Sequence, residues 1–91
     1  MSGVIWQIEF EQAAAREFRK LDPQTQRRIR DYLKNRVLAV DDPRSKGKAL
    51  KGSMHVLWRY RIGNYRVVCD IRDSELLILI VRVAHRREVY D

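Results

Sequence analysis

Several kinds of residue are scarce in this sequence of 91 residues, and each scarcity excludes a class of protein. A single cysteine cannot form an intrachain disulfide or a thiolate metal cluster, which favours a cytosolic protein. The longest apolar run, LLILIV at 76–81, is far too short to span a bilayer. The N-terminus lacks the charged and apolar regions of a signal peptide. We therefore expect a cytoplasmic protein with no membrane segment.

Acidic side chains are also in the minority. The chain has 12 Asp and Glu residues against 19 Lys and Arg residues, so its net charge is +7 at pH 7. Such a charge predicts attraction to a polyanion or to an acidic protein partner. The length fits one domain over residues 1–91, and a hydrophobic fraction of 45% supports a genuine core.

The first half of the chain changes from strand to helix periodicity. Residues 4–10 alternate polar and apolar side chains, which predicts a half-buried strand. Residues 11–21 have helical spacing, and a second helix is predicted over residues 23–38. Asp22 is expected to cap that helix, with Pro23 in its first turn.

The second half returns to strand periodicity after one loop, which is predicted over residues 41–53. Gly63-Asn64 is a hairpin signal between two of the strands that follow. The three predicted strands cover residues 54–62, 65–72 and 75–84. The sequence therefore predicts an α+β fold of order β-α-α-β-β-β, in which a helical hairpin packs on one face of a small antiparallel-rich sheet.

The predicted hairpin gathers positive charge on one face. If Gly63-Asn64 form the turn, Arg61 lies directly opposite Arg66, with Arg59 one pleat away. Like charges opposite each other in a sheet are destabilising, by up to about 1 kcal/mol. Such a face favours an anion as ligand, although the same arginines could instead bind acidic side chains of a protein.

Three motifs, taken with the element order, carry a family resemblance: LKG at 50–52, RIGNYRVVCDI at 61–71 and AHRREVY at 84–90. Over essentially its whole length the chain resembles the RelE/ParE superfamily, small basic toxins of type II toxin–antitoxin modules. The RelE branch implies a ribosome-dependent endoribonuclease that cuts mRNA in the ribosomal A site. The ParE branch shares the fold but acts on DNA gyrase.

The resemblance also implies site residues. Arg66 would bind the scissile phosphate, Arg86 would act as an acid or stabilise charge, and Tyr90 would stack on a base and help orient the 2′-OH. Arg59 matches the position of a base or phosphate ligand. Because arginine is rarely a general base and histidine titrates near neutrality, His85 is a second candidate for that role.

The remaining cations are candidate phosphate contacts. Arg61 would join Arg66 in holding developing charge, and three loop lysines are equally compatible with phosphate contact or with solubility: Lys46, Lys48 and Lys51. Cleavage of RNA by its own 2′-OH needs a base, a cation on the phosphate and an acid, but no metal or other cofactor. Four cations of the second helix are expected to form a solvated face, with contact to the antitoxin or to ribosomal RNA as the second interpretation: Arg27, Arg28, Arg30 and Lys34.

Partners and alternatives follow from the resemblance. A cognate antitoxin of RelB type is expected, acidic and partly disordered, with oligomers forming only through the antitoxin complex. The ribosome and mRNA are the other expected partners. Two alternatives to the endoribonuclease remain, a non-nuclease inhibitor of DNA gyrase and a non-catalytic nucleic-acid-binding module.

Overall fold

A five-stranded sheet with two helices beside it organises the part of the chain that the computed structural model describes, residues 5–50 and 57–85. The strands are β1 (Gln7–Phe10), β2 (Lys48–Leu50), β3 (Leu57–Ile62), β4 (Tyr65–Arg72) and β5 (Leu77–His85). They lie in the order β1-β5-β4-β3-β2, with β1 parallel to β5 and the other neighbours antiparallel. The predicted α+β fold is confirmed.

Strand β2 is an addition to the predicted order. The prediction of a continuous loop over residues 41–53 is wrong at Lys48–Leu50, which pair with β3. A segment of three residues is too short to show an alternating pattern, so its strand character comes from the neighbouring strand. The rest of that predicted loop, from residue 51, lies outside the described residues.

The two helices begin where local capping directs them. Helix α1 covers Gln12–Arg19, and α2 covers Pro23–Tyr32 before continuing as a π-helical turn over Leu33–Val37. The Asp22 side chain accepts hydrogen bonds from the Thr25 amide at 3.2 Å and from the Thr25 hydroxyl at 2.6 Å. Asp22 is therefore the N-cap of α2, as predicted. None of the described helices is both long and apolar enough to cross a membrane.

The main core lies between the helices and one face of the sheet. From the helical side, Ile29, Leu33 and Val37 are all buried. The sheet contributes buried side chains from its three central strands: Tyr60, Ile62, Val67, Cys69, Ile71, Ile78, Ile80 and Val83. Burying one such aliphatic side chain stabilises the fold by about 1.5–3 kcal/mol. Burial also raises the pKa of the Cys69 thiol.

Helix α1 also completes the edge of β5. Strand β1 ends opposite Ile80, and the next amide, of Glu11, donates to the Ile80 carbonyl at 2.8 Å. Further along, the Glu17 carboxylate accepts a hydrogen bond from the Val83 amide at 2.8 Å and lies 3.6 Å from the Arg82 guanidinium. The Glu17 side chain thus accepts the hydrogen bond that, within a sheet, the backbone carbonyl of a neighbouring strand would accept.

An ion pair ties the β2 side of the sheet to the β4–β5 turn, and it should make stability depend on pH. Arg44 donates hydrogen bonds to both carboxylate oxygens of Asp73 at 2.9 Å, which lowers the pKa of Asp73 from its usual 3.8. A lowered folded-state pKa stabilises the fold above the unfolded-state value, and this contribution is lost as the pH falls through the folded-state value.

We therefore expect Asp73→Asn to lower the urea midpoint at pH 7, and we expect the difference from wild type to vanish below that lowered pKa. Urea unfolding at a series of pH values from 7 to 2.5 measures this. In an Arg44→Gln background the same substitution should give a difference that changes much less with pH. An unchanged pH dependence there would show that another group is responsible.

Candidate functional site

Four cationic side chains lie on the sheet face that turns away from the helices, and we call them the arginine face: Lys48, Arg59, Arg61 and Arg66. Arg61 is the register partner of Arg66, and Lys48 is the partner of Arg59. Partners in antiparallel strands project to the same face. The predicted pairing of Arg61 with Arg66 is confirmed, and β2 brings Lys48 beside Arg59.

Two of these guanidinium groups are almost buried. Arg59 has an exposed fraction of 8% and Arg66 one of 9%, whereas Arg61 is exposed. Burial lowers the pKa of Arg59, and the charges of Arg66 and Arg61 lower it further. Burial and repulsion both act against the charged form of Arg59, and a cluster of like charges of this kind is typical of a surface that binds an anion.

A small apolar cluster lies on the same face. Val68 and Ala84 are buried there, packed against the partly buried side chains of Leu50, Leu57 and Val81. Ala84 is also the register neighbour of Arg66. Apolar surroundings strengthen the field of nearby charges, so an anion on this face would be held more firmly than on an ordinary solvated surface.

Two clefts adjoin the arginine face at the edge of β3. The sheet cleft, of about 250 Å³, is lined by Tyr32, Gly47, Lys48, Arg59 and Arg61. The helix cleft, of about 390 Å³, lies between α2 and β3 and is lined by Arg28, Asp31, Tyr32, Asn35, Arg36, Arg61, Ile62 and Gly63. Tyr32 and Arg61 line both clefts, so positive charge continues from the sheet to the second helix.

Aromatic side chains of β3 hold the turn that precedes Lys48. The Trp58 indole N–H donates to the Lys46 carbonyl at 2.6 Å, and the Tyr60 hydroxyl donates to the Pro43 carbonyl. Gly47, which directly follows Lys46, has φ +79°, and a Cβ there would lie 2.4 Å from the Arg59 carbonyl oxygen. The segment is therefore fixed against β3, which sets the position of Lys48.

The structure separates some of the predicted site residues. His85 ends β5 opposite Tyr65, and the two rings make an edge-to-face contact with centroids 5.3 Å apart. Strand alternation puts His85 on the helix side of the sheet, whereas Ala84 shares the face of Arg66. Lys46 is exposed. Three predicted site residues lie outside the described residues: Lys51, Arg86 and Tyr90.

Sequence reasoning missed the contribution of α2. Arg28, Tyr32 and Arg36 all line the helix cleft beside Arg61, whereas the sequence predicts a mainly solvated face for Arg28 and no site role for Arg36. Their spacing of four residues places them on one stripe of a helix, and that signal was present in the sequence. Within the described ranges, no group of three His, Cys, Asp or Glu side chains could hold a metal ion.

Comparison with solved structures finds closely related folds. The RelBE2 toxin–antitoxin complex from Mycobacterium tuberculosis contains a chain with 26% identity and a TM-score of 0.79, and the match covers 91% of this chain and all (100%) of that one. A mutant of the E. coli toxin RelE in the free state has 21% identity and a TM-score of 0.75, with coverages of 92% and 86%. The archaeal RelE–RelB complex from Pyrococcus horikoshii OT3 has 23% identity and a TM-score of 0.66, with coverages of 93% and 99%.

Comparison with protein-family models identifies the family of the chain. No curated protein matches it. Residues 8–90 match the family described as the ParE toxin of the type II toxin–antitoxin system parDE. That match spans nearly the whole chain, and it agrees with the resemblance drawn from the hairpin motif RIGNYRVVCDI. The chain therefore belongs to the ParE toxin family of type II toxin–antitoxin systems, within the RelE/ParE superfamily, and it has a RelE-like fold.

Proposed function

We propose that this toxin is a ribosome-dependent, metal-independent endoribonuclease that cuts mRNA in the A site by attack of the RNA's own 2′-OH. The observation that carries the proposal is the Arg61–Arg66 pair, directly opposed across β3 and β4, with the almost buried Arg59 beside it. Three guanidinium groups on one face suit the negative charge that develops on the two non-bridging oxygens of a phosphodiester in the transition state.

The described arginines would serve the phosphate. Guanidinium groups bind phosphate oxygens in a bidentate manner and stay charged, so Arg66 and Arg61 would hold the non-bridging oxygens as charge develops. Arg59 would add a third positive charge from an almost buried position. Lys48 would contact the same or the next phosphate from β2, with Lys46 and Lys51 as outer contacts.

The resemblance supplies the remaining roles. Arg86 would stabilise the leaving group and Tyr90 would stack on a base, a contact of about 1–3 kcal/mol. Of the two candidates for the general base, His85 has its ring against Tyr65 on the helix side. The His85 ring would have to pass the end of β5 to reach a phosphate bound on the arginine face. An enzyme with so few acid–base groups is slow unless its substrate is held in the reactive geometry. The ribosome would hold the mRNA in that geometry.

A cognate antitoxin of RelB type would neutralise the toxin. Solved complexes of RelE with RelB from E. coli, Pyrococcus horikoshii and Methanococcus jannaschii support this partner. An acidic, partly disordered antitoxin would complement the net charge of +7.

A second candidate is a non-nuclease toxin that inhibits DNA gyrase. Two observations favour it: the family that matches residues 8–90 is described as ParE, and His85 lies on the face opposite to Arg66. On this alternative the arginine face would contact acidic groups of a protein rather than RNA.

One experiment separates the two candidates. The toxin is induced in cells, mRNA 5′ ends are mapped, and the purified chain is tested against gyrase supercoiling. We expect codon-phased cuts and unaffected gyrase. Arg61→Gln should weaken the cuts, while Arg72→Gln makes the same charge change on an arginine that pairs with Asp70 at 3.1 Å and should leave them intact. Intact mRNA together with inhibited gyrase would establish the second candidate instead.

A further inference from the structure

We propose that the helix cleft is a second RNA subsite, which binds the nucleotide next to the reacting phosphate and so extends the footprint of the toxin along a single strand. This inference rests on the proposed RNA-cleaving function. It concerns residues of α2 that neither the motifs nor the family resemblance assign to substrate. Its basis is the geometry and chemistry of the side chains that line the cleft.

The cleft is continuous with the arginine face. Arg61 and Tyr32 line both the helix cleft and the sheet cleft, so a strand whose phosphate lies among Arg59, Arg61 and Arg66 can pass directly into the space beside α2. The cavity of about 390 Å³ falls within the range typical of small-ligand pockets, about 300–1,000 Å³, which suits one nucleotide rather than a duplex.

Arg28 and Arg36 flank that space with positive charge. Arg28 reaches from α2 across to the β3–β4 turn, where its Nη1 atom is 3.1 Å from the position that a Cβ of Gly63 would occupy. Arg36 follows two helical turns later on the same stripe and lines the same cleft. Both side chains are exposed, and a backbone phosphate leaving the arginine face would pass between cations.

Tyr32 lies at the junction of the two clefts. Its ring is half-buried and packs against Tyr60 with centroids 6.0 Å apart, so its position where the two clefts meet is fixed. The Tyr32 hydroxyl is protonated at neutral pH and can donate a hydrogen bond, and burial raises its pKa further. An aromatic ring in this place can stack on an unpaired base, the interaction that commonly positions single-stranded RNA.

Asp31 and Asn35 distinguish RNA from an acidic peptide as the occupant. Both line the helix cleft among the arginines. A carboxylate and an amide together can accept from and donate to the edge of a base, as they do in base recognition generally. The carboxylates of an acidic peptide would satisfy the arginines, but an acidic side chain has no hydrogen-bond donor to offer Asp31. A nucleotide supplies a phosphate, an aromatic face and amino donors together.

The salt dependence of RNA binding tests the subsite. A fluorescent, non-cleavable 2′-O-methyl oligonucleotide of nine nucleotides is titrated by anisotropy against the full chain at several salt concentrations. For Arg28→Gln/Arg36→Gln we expect the slope of log K against log salt to fall by about 0.7, since the cleft holds one phosphate and each phosphate contact on a single strand contributes about that much.

Arg16→Gln/Arg19→Gln is the matched control, with the same charge change on exposed positions of α1. Equal salt slopes for the two double variants would overturn the subsite. They would not affect the proposed function, provided that the wild-type chain cleaves mRNA. Normal RNA binding by the cleft variant, with binding to a glutamate-rich peptide lost, would assign the cleft to an acidic protein segment and would also overturn the subsite. A wild-type chain that neither binds RNA nor cuts mRNA would instead refute the proposed function itself. Urea unfolding confirms that both variants fold.

Discussion

In the proposed endoribonuclease, Arg66→Gln should slow mRNA cleavage by about 100- to 1,000-fold, the usual cost of removing one group that stabilises transition-state charge. Arg66 is almost buried, with an exposed fraction of 9%, and its register partner is Arg61. A buried guanidinium acts in surroundings of low polarity, where its effect on a developing charge is larger than in water. Single-turnover cleavage of mRNA on programmed ribosomes measures the rate of the chemical step.

Two companion variants sharpen that expectation. Arg66→Lys keeps the charge but not the bidentate geometry, so its rate should lie between those of wild type and Arg66→Gln. Arg72→Gln removes an exposed arginine from the same strand and should keep the wild-type rate. If Arg66→Gln and Arg72→Gln cleave equally fast, Arg66 is not part of the catalytic site and the arginine face has another ligand.

Urea unfolding of Arg66→Gln separates a catalytic defect from misfolding. The substitution relieves the repulsion between Arg66 and Arg61, which is worth some tenths to about 1 kcal/mol, but it also removes the other contacts of the Arg66 side chain. Slow cleavage by a variant that unfolds at the same urea concentration as wild type would assign Arg66 to the active site and exclude misfolding as the cause.

The hairpin was predictable because its register is determined locally. A two-residue turn at Gly63-Asn64 leaves only one pairing for the strands on either side, and that pairing sets Arg61 opposite Arg66. Helix α2 was predictable for a similar reason, since Asp22 and Pro23 are sequence signals for a helix start. Local chemistry was sufficient wherever neighbours in the sequence are also partners in space.

Long-range pairing was not predictable from such signals. The parallel pairing of β1 with β5 joins residues about seventy positions apart, and β2 exists only because β3 lies beside it. The face of His85 depends on the register at the end of β5, where a shift of one residue reverses the face. A register irregularity between Val68 and Cys69 adds to that dependence, and the sequence pattern does not locate it.

Gly47→Ala should be among the most damaging single substitutions for stability, with an expected loss of about 2–5 kcal/mol from backbone strain and overpacking together. Gly47 has φ +79°, a region that side chains disfavour. An added Cβ would lie 2.4 Å from the Arg59 carbonyl oxygen, 2.8 Å from the Trp58 indole nitrogen and 2.9 Å from a ring carbon of Tyr60. Backbone and packed rings cannot withdraw without disturbing β3.

Gly63→Ala is the matched control for that clash. Gly63 also has positive φ, +61°, but its Cβ would meet only the guanidinium of Arg28, at 3.1 Å, which is the end of a flexible side chain. The control should therefore lose about 1–2 kcal/mol, the cost of the left-handed backbone alone. Urea unfolding of both variants gives the difference. If Gly47→Ala lowers the free energy of unfolding no more than Gly63→Ala does, the turn before Lys48 can move away from β3. The hydrogen bonds from Trp58 and Tyr60 would then not determine the position of Lys48 beside Arg59.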